Sequence, residues 1–245
     1  MELTVIGYSG SFPGPQSPAS CYLVEHDGFR LLLDMGNGSL GSLQNFADIY
    51  TIDAVLVTHL HVDHFIDLCS YYVALKYRPA GPATRVPVFG PSDLGHRLTS
   101  AYGLRKGSMS EEFEIADLET DFEVGPFRVR TDRMVHPIEA YGIRLDAGGK
   151  SLAYSGDTGP TDRLVNLAHG VGLAVFEASF LDGANPPDLH LTAAQAAQHA
   201  QRADAAQVLL THLVPWNDRD QTREQAAPHL DVPLDLARVG NTVVL

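Results

Sequence analysis

Three histidines and one aspartate lie within the seven residues from Thr58 to His64, which read T-H-L-H-V-D-H. This cluster directly follows the apolar run from Ala54 to Val57, whose composition predicts a buried strand. Neutral imidazole and carboxylate are the nitrogen and oxygen ligands that zinc and similar divalent metals prefer in proteins. A strand that ends in such a cluster brings the side chains to one point, so the sequence predicts a metal site there.

Further candidate ligands follow strands that are predicted later in the chain. His136 comes after the strand predicted at 127–131, Asp157 lies in S-G-D-T after the strand at 151–155, and His212 follows the strand at 208–211. Taken alone, a histidine at a strand end is more typical of a hydrogen-bonded structural residue. Together with the first cluster, however, the candidates are numerous enough for two metal ions that share one carboxylate. The full set is His59, His61, Asp63, His64, His136, Asp157 and His212.

The elements that must position these residues alternate between strands and helices. Short apolar runs bounded by Gly and Pro predict strands at 3–6, 21–25, 30–34, 54–57, 86–89, 173–176, 208–211 and 242–245. A largely antiparallel run is predicted at 113–115, 122–124, 127–131, 141–145 and 151–155. Helices are predicted from Asp63 to Lys76, in the first part of 94–110, and from an N-cap at Thr192 to about Arg202. This pattern indicates a single α/β domain over residues 1–245, with helices outside two sheets.

Length and charge restrict the classes of partner. A chain of 245 residues with 44% hydrophobic content is long enough for one large domain with its own core. Thirty acidic and seventeen basic residues leave a formal charge of −13, which argues against an extended nucleic-acid partner, because such proteins normally carry a basic face. The first residues show neither a signal peptide nor a membrane span, so a cytoplasmic location and no membrane partner are expected.

The ordered motifs resemble those of the metallo-β-lactamase fold superfamily, from the first strand to the T-H at His212. Within it, E-A-S-F at 177–180 and H-L-T-A-A at 190–194 resemble the phosphodiesterase branch that includes ribonuclease Z. Three further segments resemble a bacterial group associated with cyclic-nucleotide hydrolysis: G-Y-S-G-S-F-P-G at 7–14, C-S-Y-Y at 69–72 and L-V-P-W at 213–216. The resemblance implies a four-layer αβ/βα sandwich.

The resemblance also implies roles for individual residues. The first metal would be held by His59, His61 and His136, the second by Asp63, His64 and His212, with Asp157 bridging the two. Both ions would be divalent, with zinc favoured and manganese or iron as alternatives, because sequence does not separate these metals at such a site. The implied catalytic residues are Asp63, Glu177 and His190. In this interpretation His190 protonates the leaving oxygen, and Glu177 orients the His190 ring. The alternative is that Glu177 and His190 form a structural pair near the start of a helix.

The implied reaction is hydrolysis of a small phosphodiester, with 3′,5′-cyclic AMP favoured. A ribonuclease Z-like tRNA 3′-processing enzyme is the alternative, but the chain shows no long basic insertion and has only three lysines, Lys76, Lys106 and Lys150. A lactone or thioester hydrolase would leave Glu177 and His190 without a task, and a non-catalytic metal-binding module would normally lack a ligand. Trp216 is open to two interpretations, a surface on which a base stacks or a partly buried anchor. The oligomeric state is also open, although homodimers are common among such proteins.

Overall fold

Two mixed β-sheets of seven strands each form the centre of the computed structural model, which describes residues 1–81, 84–105, 107–183 and 185–245. The first sheet contains, in spatial order, Thr242–Val244 (β14), Glu2–Gly7 (β1), Cys21–His26 (β2), Phe29–Leu33 (β3), Ala54–Leu56 (β4), Val86–Gly90 (β5) and Phe113–Asp117 (β6). The second contains Leu234–Leu236 (β13), Val208–Thr211 (β12), Leu173–Glu177 (β11), Lys150–Tyr154 (β10), Tyr141–Ala147 (β9), Phe127–Arg133 (β8) and Asp121–Val124 (β7).

Helices cover the outer faces of both sheets. The α-helices of the described residues are Ser39–Leu43 (α1), Val62–Phe65 (α2), Asp67–Lys76 (α3), Leu94–Tyr102 (α4), Asp162–Leu167 (α5), Ala193–Arg202 (α6) and Arg219–Ala226 (α7). Short 3₁₀ helices lie at Ile49–Thr51 and Ala227–His229. Across the described ranges, no helix is long and apolar enough to cross a membrane.

Alternation along the strands builds two hydrophobic layers. In β2, Tyr22 and Val24 belong to the core between the sheets, whereas Leu23 packs toward the helices on the outer side of the first sheet. In β3, Leu31 and Leu32 divide in the same way, because successive side chains of a strand point to opposite faces. The result is an α/β/β/α arrangement, which confirms the predicted four-layer sandwich.

Two details of the predicted elements are wrong. Phe113–Asp117 does not join an antiparallel run, because it pairs in parallel with β5 at the edge of the first sheet. The helix predicted from Asp63 to Lys76 begins at Val62 and is interrupted at Ile66. There the Asp67 amide donates a hydrogen bond to the carbonyl of Met35, in the loop after β3, at 3.0 Å. In a continuous helix the same amide would donate to the carbonyl four residues earlier, so the helix is broken at this point.

Parallel pairing fixes where the polar side chains gather. Strands β3 to β6 run parallel in the first sheet, and β10 to β13 run parallel in the second. Ligands in α/β sheets bind outside the carboxyl ends of parallel strands. The loops at those ends carry Asp34, the 58–64 cluster, Asp157 and His212.

Candidate metal centre and active site

The first ligand group unites three imidazoles with one carboxylate. His61 Nδ1 lies 3.2 Å from His59 Nε2 and 3.1 Å from His136 Nε2. Asp157 Oδ2 lies 3.5 Å from His59 Nε2. One ligand atom from each of these four residues falls within a sphere that could surround a single cation.

The second ligand group uses the other oxygen of the same aspartate. Asp157 Oδ1 lies 3.2 Å from His64 Nε2 and 3.4 Å from His212 Nε2. Asp63 Oδ2 lies 3.2 Å from His212 Nε2, and the two ring nitrogens of His64 and His212 are 3.2 Å apart. Thus the structure brings all seven predicted ligands together in the two sets of the sequence interpretation, with Asp157 common to both.

These separations fit a bound metal. Ligand atoms about 2.0–2.1 Å from a tetrahedral zinc ion are about 3.3–3.4 Å from one another, and the atom pairs named above are 3.1–3.5 Å apart. Asp157 Oδ1 is buried and has no hydrogen-bond donor among the described residues. A buried carboxylate oxygen without a donor is costly, and a cation between it and the ring nitrogens would remove that cost.

Ionisation also suits metal binding at most positions. Burial, reinforced by the neighbouring His64, lowers the pKa of His59 to about 4, so its imidazole is neutral at pH 7. Burial favours the neutral form of Asp157, but His212 and His64 outweigh this effect and hold the pKa of the carboxyl well below its usual range. At His64 burial by itself lowers the pKa, but the nearby carboxylates of Asp157, Asp63 and Asp34 outweigh it and raise the pKa well above its usual range. Binding of a cation to His64 would therefore release a proton.

The backbone at two of these loops is adapted to close packing. Gly156, next to Asp157, has φ 56°, and a Cβ there would lie 2.8 Å from the Tyr141 carbonyl oxygen. Gly10 packs against His212, and a Cβ there would lie 2.5 Å from the His212 carbonyl oxygen. Only glycine fits these places without displacement, which gives the Gly-rich segment 7–14 a role beside the site.

The second ring nitrogen of four histidines is held by a polar group outside the ligand set. A histidine whose remote nitrogen is engaged keeps its ring orientation and offers the other nitrogen to a metal. The pairs are His59 Nδ1 with Thr58 Oγ1 at 3.0 Å, His64 Nδ1 with Asp34 Oδ2 at 2.7 Å, His136 Nδ1 with the Leu189 carbonyl at 3.0 Å, and His212 Nδ1 with Ser179 Oγ at 2.7 Å.

Asp34 is a site residue that the sequence reasoning missed. Its fully buried carboxylate accepts hydrogen bonds from the Thr58 amide at 2.7 Å, from His64 Nδ1–H and from the Tyr154 hydroxyl at 2.8 Å. Its φ of 61° turns the chain at the end of β3. The available signal was an aspartate directly after the apolar run L-L-L, at the same kind of strand end as the 58–64 cluster.

Replacing Asp34 with asparagine should weaken metal binding by about 10–100-fold, the usual cost of losing a partner of a ligating histidine. The amide keeps the shape of the side chain but removes the charge that fixes His64 with its proton on Nδ1. Competition with a zinc chelator measures the affinity. Asp27→Asn is the matched control, because Asp27 is 81% exposed and lies in the β2–β3 turn. Equal affinities of the Asp34 variant and the wild type would refute this role.

Glu177 and His190 lie beside both ligand groups. Glu177 is fully buried, and its Oε1 accepts hydrogen bonds from His190 Nδ1–H at 2.9 Å and from the Thr158 amide at 2.8 Å. The His190 ring centroid is 5.5 Å from that of His136 and 5.4 Å from that of His212. Burial by itself lowers the pKa of His190, but the Glu177 carboxylate outweighs it and raises the pKa to about 9.

A cavity of about 690 Å³ opens onto this centre. Its lining includes four of the predicted ligands together with His190, and it continues over α2 and α4. Trp216 is not a buried anchor, because its side chain is 71% exposed and lies against Phe12 with ring centroids 5.2 Å apart.

A family comparison assigns the fold. Residues 30–213 match the model of the Beta-lactamase superfamily domain. An uncharacterized protein of Mycobacterium tuberculosis is 40% identical over 243 residues, which cover 96% of this chain and 88% of that protein. The chain belongs to the beta-lactamase superfamily. With its two His/Asp groups, it is a metal-dependent hydrolase of that superfamily.

Two further relatives are a probable metallo-hydrolase and a ribonuclease Z. The probable metallo-hydrolase YhfI of Bacillus subtilis is 26% identical over 98% of both chains, and its crystal structure superposes with a TM-score of 0.89 over 99% of both chains. The ribonuclease Z of Myxococcus xanthus is 27% identical over an alignment of 303 residues, which covers all of this chain and 98% of that enzyme.

Proposed function

We propose that this chain is a phosphodiesterase with two metal ions that hydrolyses a small cyclic nucleotide, with 3′,5′-cyclic AMP favoured. The observation that carries the proposal is the contact of 2.9 Å between His190 and the buried Glu177, placed beside both ligand groups. Hydrolysis of a phosphodiester with a sugar leaving group needs a proton donor for the departing oxygen, and this pair is built to hold a proton.

The two donor sets support a site for one metal ion each. We propose that His59, His61 and His136 hold one divalent ion, that Asp63, His64 and His212 hold the other, and that Asp157 serves both. Zinc is favoured because the spacings suit tetrahedral coordination by nitrogen and oxygen. When bound, the two ions would supply Lewis-acid activation of water and of the phosphoryl oxygens.

The chain's own residues complete the reaction. As a new P–O bond forms to the oxygen of water, the bond from phosphorus to the leaving sugar oxygen breaks, and the proton that the water loses passes to solvent. In this proposal His190 donates its Nε2 proton to that leaving oxygen, because its Nδ1–H is already bound to Glu177. Glu177 stabilises the charged ring before the transfer and fixes its orientation. Asp63 lines the cavity and is also a member of the second ligand group. We propose that it contacts the attacking water.

Size and charge support a small substrate over tRNA. The alignment with the ribonuclease Z of Myxococcus xanthus is longer than this chain, so that enzyme has segments that this chain lacks. The formal charge of −13 would oppose a polyanion, whose binding depends on many basic contacts. A cavity of about 690 Å³ is within the usual range for a small-molecule site.

Metal-loaded protein should hydrolyse cyclic AMP and bis(p-nitrophenyl) phosphate, and a chelator should abolish both activities. A panel of cyclic AMP, cyclic GMP, bis(p-nitrophenyl) phosphate, a precursor tRNA and a lactone, with product analysis by chromatography, makes the test. Turnover of the lactone without any phosphodiester would overturn the proposed function. Cleavage of the precursor tRNA without cyclic nucleotides would favour the ribonuclease Z alternative.

A further inference from the structure

One wall of the cavity differs chemically from the ligand groups. It is formed by the carbon side chains of Leu60, Val62, Phe65, Ile66 and Ala101. The Val62 side chain is 56% exposed, so part of this wall is open to a ligand. Apolar area of this kind suits a flat hydrophobic part of a ligand, whereas a phosphate would lose hydration there without compensation.

Arg97 supplies the only Lys or Arg side chain among the described residues that line this cavity. It lies on α4 four positions before Ala101, so the two share a helix face, while Leu94 and Leu98 are buried in the core. Within the described part of the chain, no carboxylate pairs with its guanidinium; the nearby Asp93 contacts His96 at 3.4 Å instead. The group is therefore free to bind a ligand.

We propose that Arg97 is a substrate-binding residue that donates a hydrogen bond to N7 of a purine base lying on the apolar wall. This inference rests on the proposed function, which places the phosphodiester at the two ligand groups. The remainder of a cyclic nucleotide then extends into the cavity. An arginine N–H can donate to N7 of either purine, and on guanine a second N–H can also donate to O6. Adenine and guanine both carry N7 and pyrimidines lack it, so the site selects purine over pyrimidine cyclic nucleotides.

A substrate that lacks one atom of the proposed contact tests it directly. For the wild type, kcat/KM should be about tenfold higher for cyclic AMP than for 7-deaza-cyclic AMP or cyclic CMP, as expected for one hydrogen bond to a charged donor. Arg97→Ala should lose this factor on cyclic AMP and lose nothing further on the 7-deaza analogue. Arg97→Lys keeps the charge and a donor on a side chain of different shape and hydration, and it should recover only part of this factor.

The controls separate base recognition from charge, folding and turnover. Arg85→Ala removes an equally charged, 54% exposed side chain that pairs with Glu114 on the surface, and it should leave every ratio unchanged. Inhibition constants of the same nucleotides against bis(p-nitrophenyl) phosphate hydrolysis report binding without turnover. If cyclic nucleotides are hydrolysed with the same kcat/KM for purines, 7-deaza analogues and pyrimidines, the proposed role of Arg97 is wrong, but the proposed function stands. A purine preference in inhibition, without turnover of any cyclic nucleotide, would support the role of Arg97 and overturn the proposed function.

Discussion

Asp157→Ala is expected to remove both metal ions and to reduce hydrolysis to background. The two oxygens of this carboxylate serve different groups, with Oδ2 at 3.5 Å from His59 Nε2 and Oδ1 at 3.2 Å from His64 Nε2. A single substitution therefore takes a ligand from each proposed ion and leaves the imidazoles without the shared negative charge. Metal content by mass spectrometry, together with kcat on bis(p-nitrophenyl) phosphate, measures the result.

Single-group variants provide the matched comparison. His61→Ala should reduce metal content only at the first group, and His212→Ala only at the second, because each histidine contributes a ring nitrogen to one of the two proposed groups. Asp157→Asn keeps the size of the side chain and guards against a folding defect, which circular dichroism would reveal. Full retention of one ion in folded Asp157→Ala would contradict the shared position of this carboxylate.

His190→Ala is expected to retain both metals and to lower kcat on cyclic AMP by about 10²–10⁴-fold, the usual contribution of a positioned proton donor. The ring lies beside the ligand groups but belongs to neither proposed set. Bis(p-nitrophenyl) phosphate has a leaving group that departs without protonation, so its hydrolysis should change much less. Equal losses on both substrates would assign His190 a structural role.

Glu177→Gln separates the proton donor from its partner. The carboxylate raises the pKa of His190, so removing its charge should lower that pKa. Because a general acid acts in its protonated form, the alkaline limb of the pH–rate profile should move to lower pH. Glu119→Gln, on an exposed loop, is the control and should leave the profile in place. An unshifted limb in folded Glu177→Gln would show that His190 does not set it.

Local patterns were sufficient for much of the framework. Apolar runs with Gly and Pro boundaries predicted most strands, and Thr192 forms a capping box with Gln195 at the start of α6, as its position predicted. The helix α7 was missed because only Thr222 and Ala226 are buried along it, so it shows little apolar periodicity. The break at Ile66 was also missed, since it depends on a hydrogen bond from the Asp67 amide to Met35, which lies 32 positions before Asp67 in the chain.

The sequence by itself determined which residues are candidate metal ligands, because imidazole and carboxylate groups are chemically distinctive and lie in short motifs at strand ends. The division of these candidates into two sets came from the family resemblance. Only the tertiary structure decided which groups lie behind them, such as Asp34 behind His64 and Tyr154 behind Asp34. It also decided that Arg97 lines the cavity. Tyr154 and Asp34 are separated by 120 positions and meet across the two sheets. Such contacts depend on how the sheets and helices pack, and no local pattern of residue types encodes that geometry.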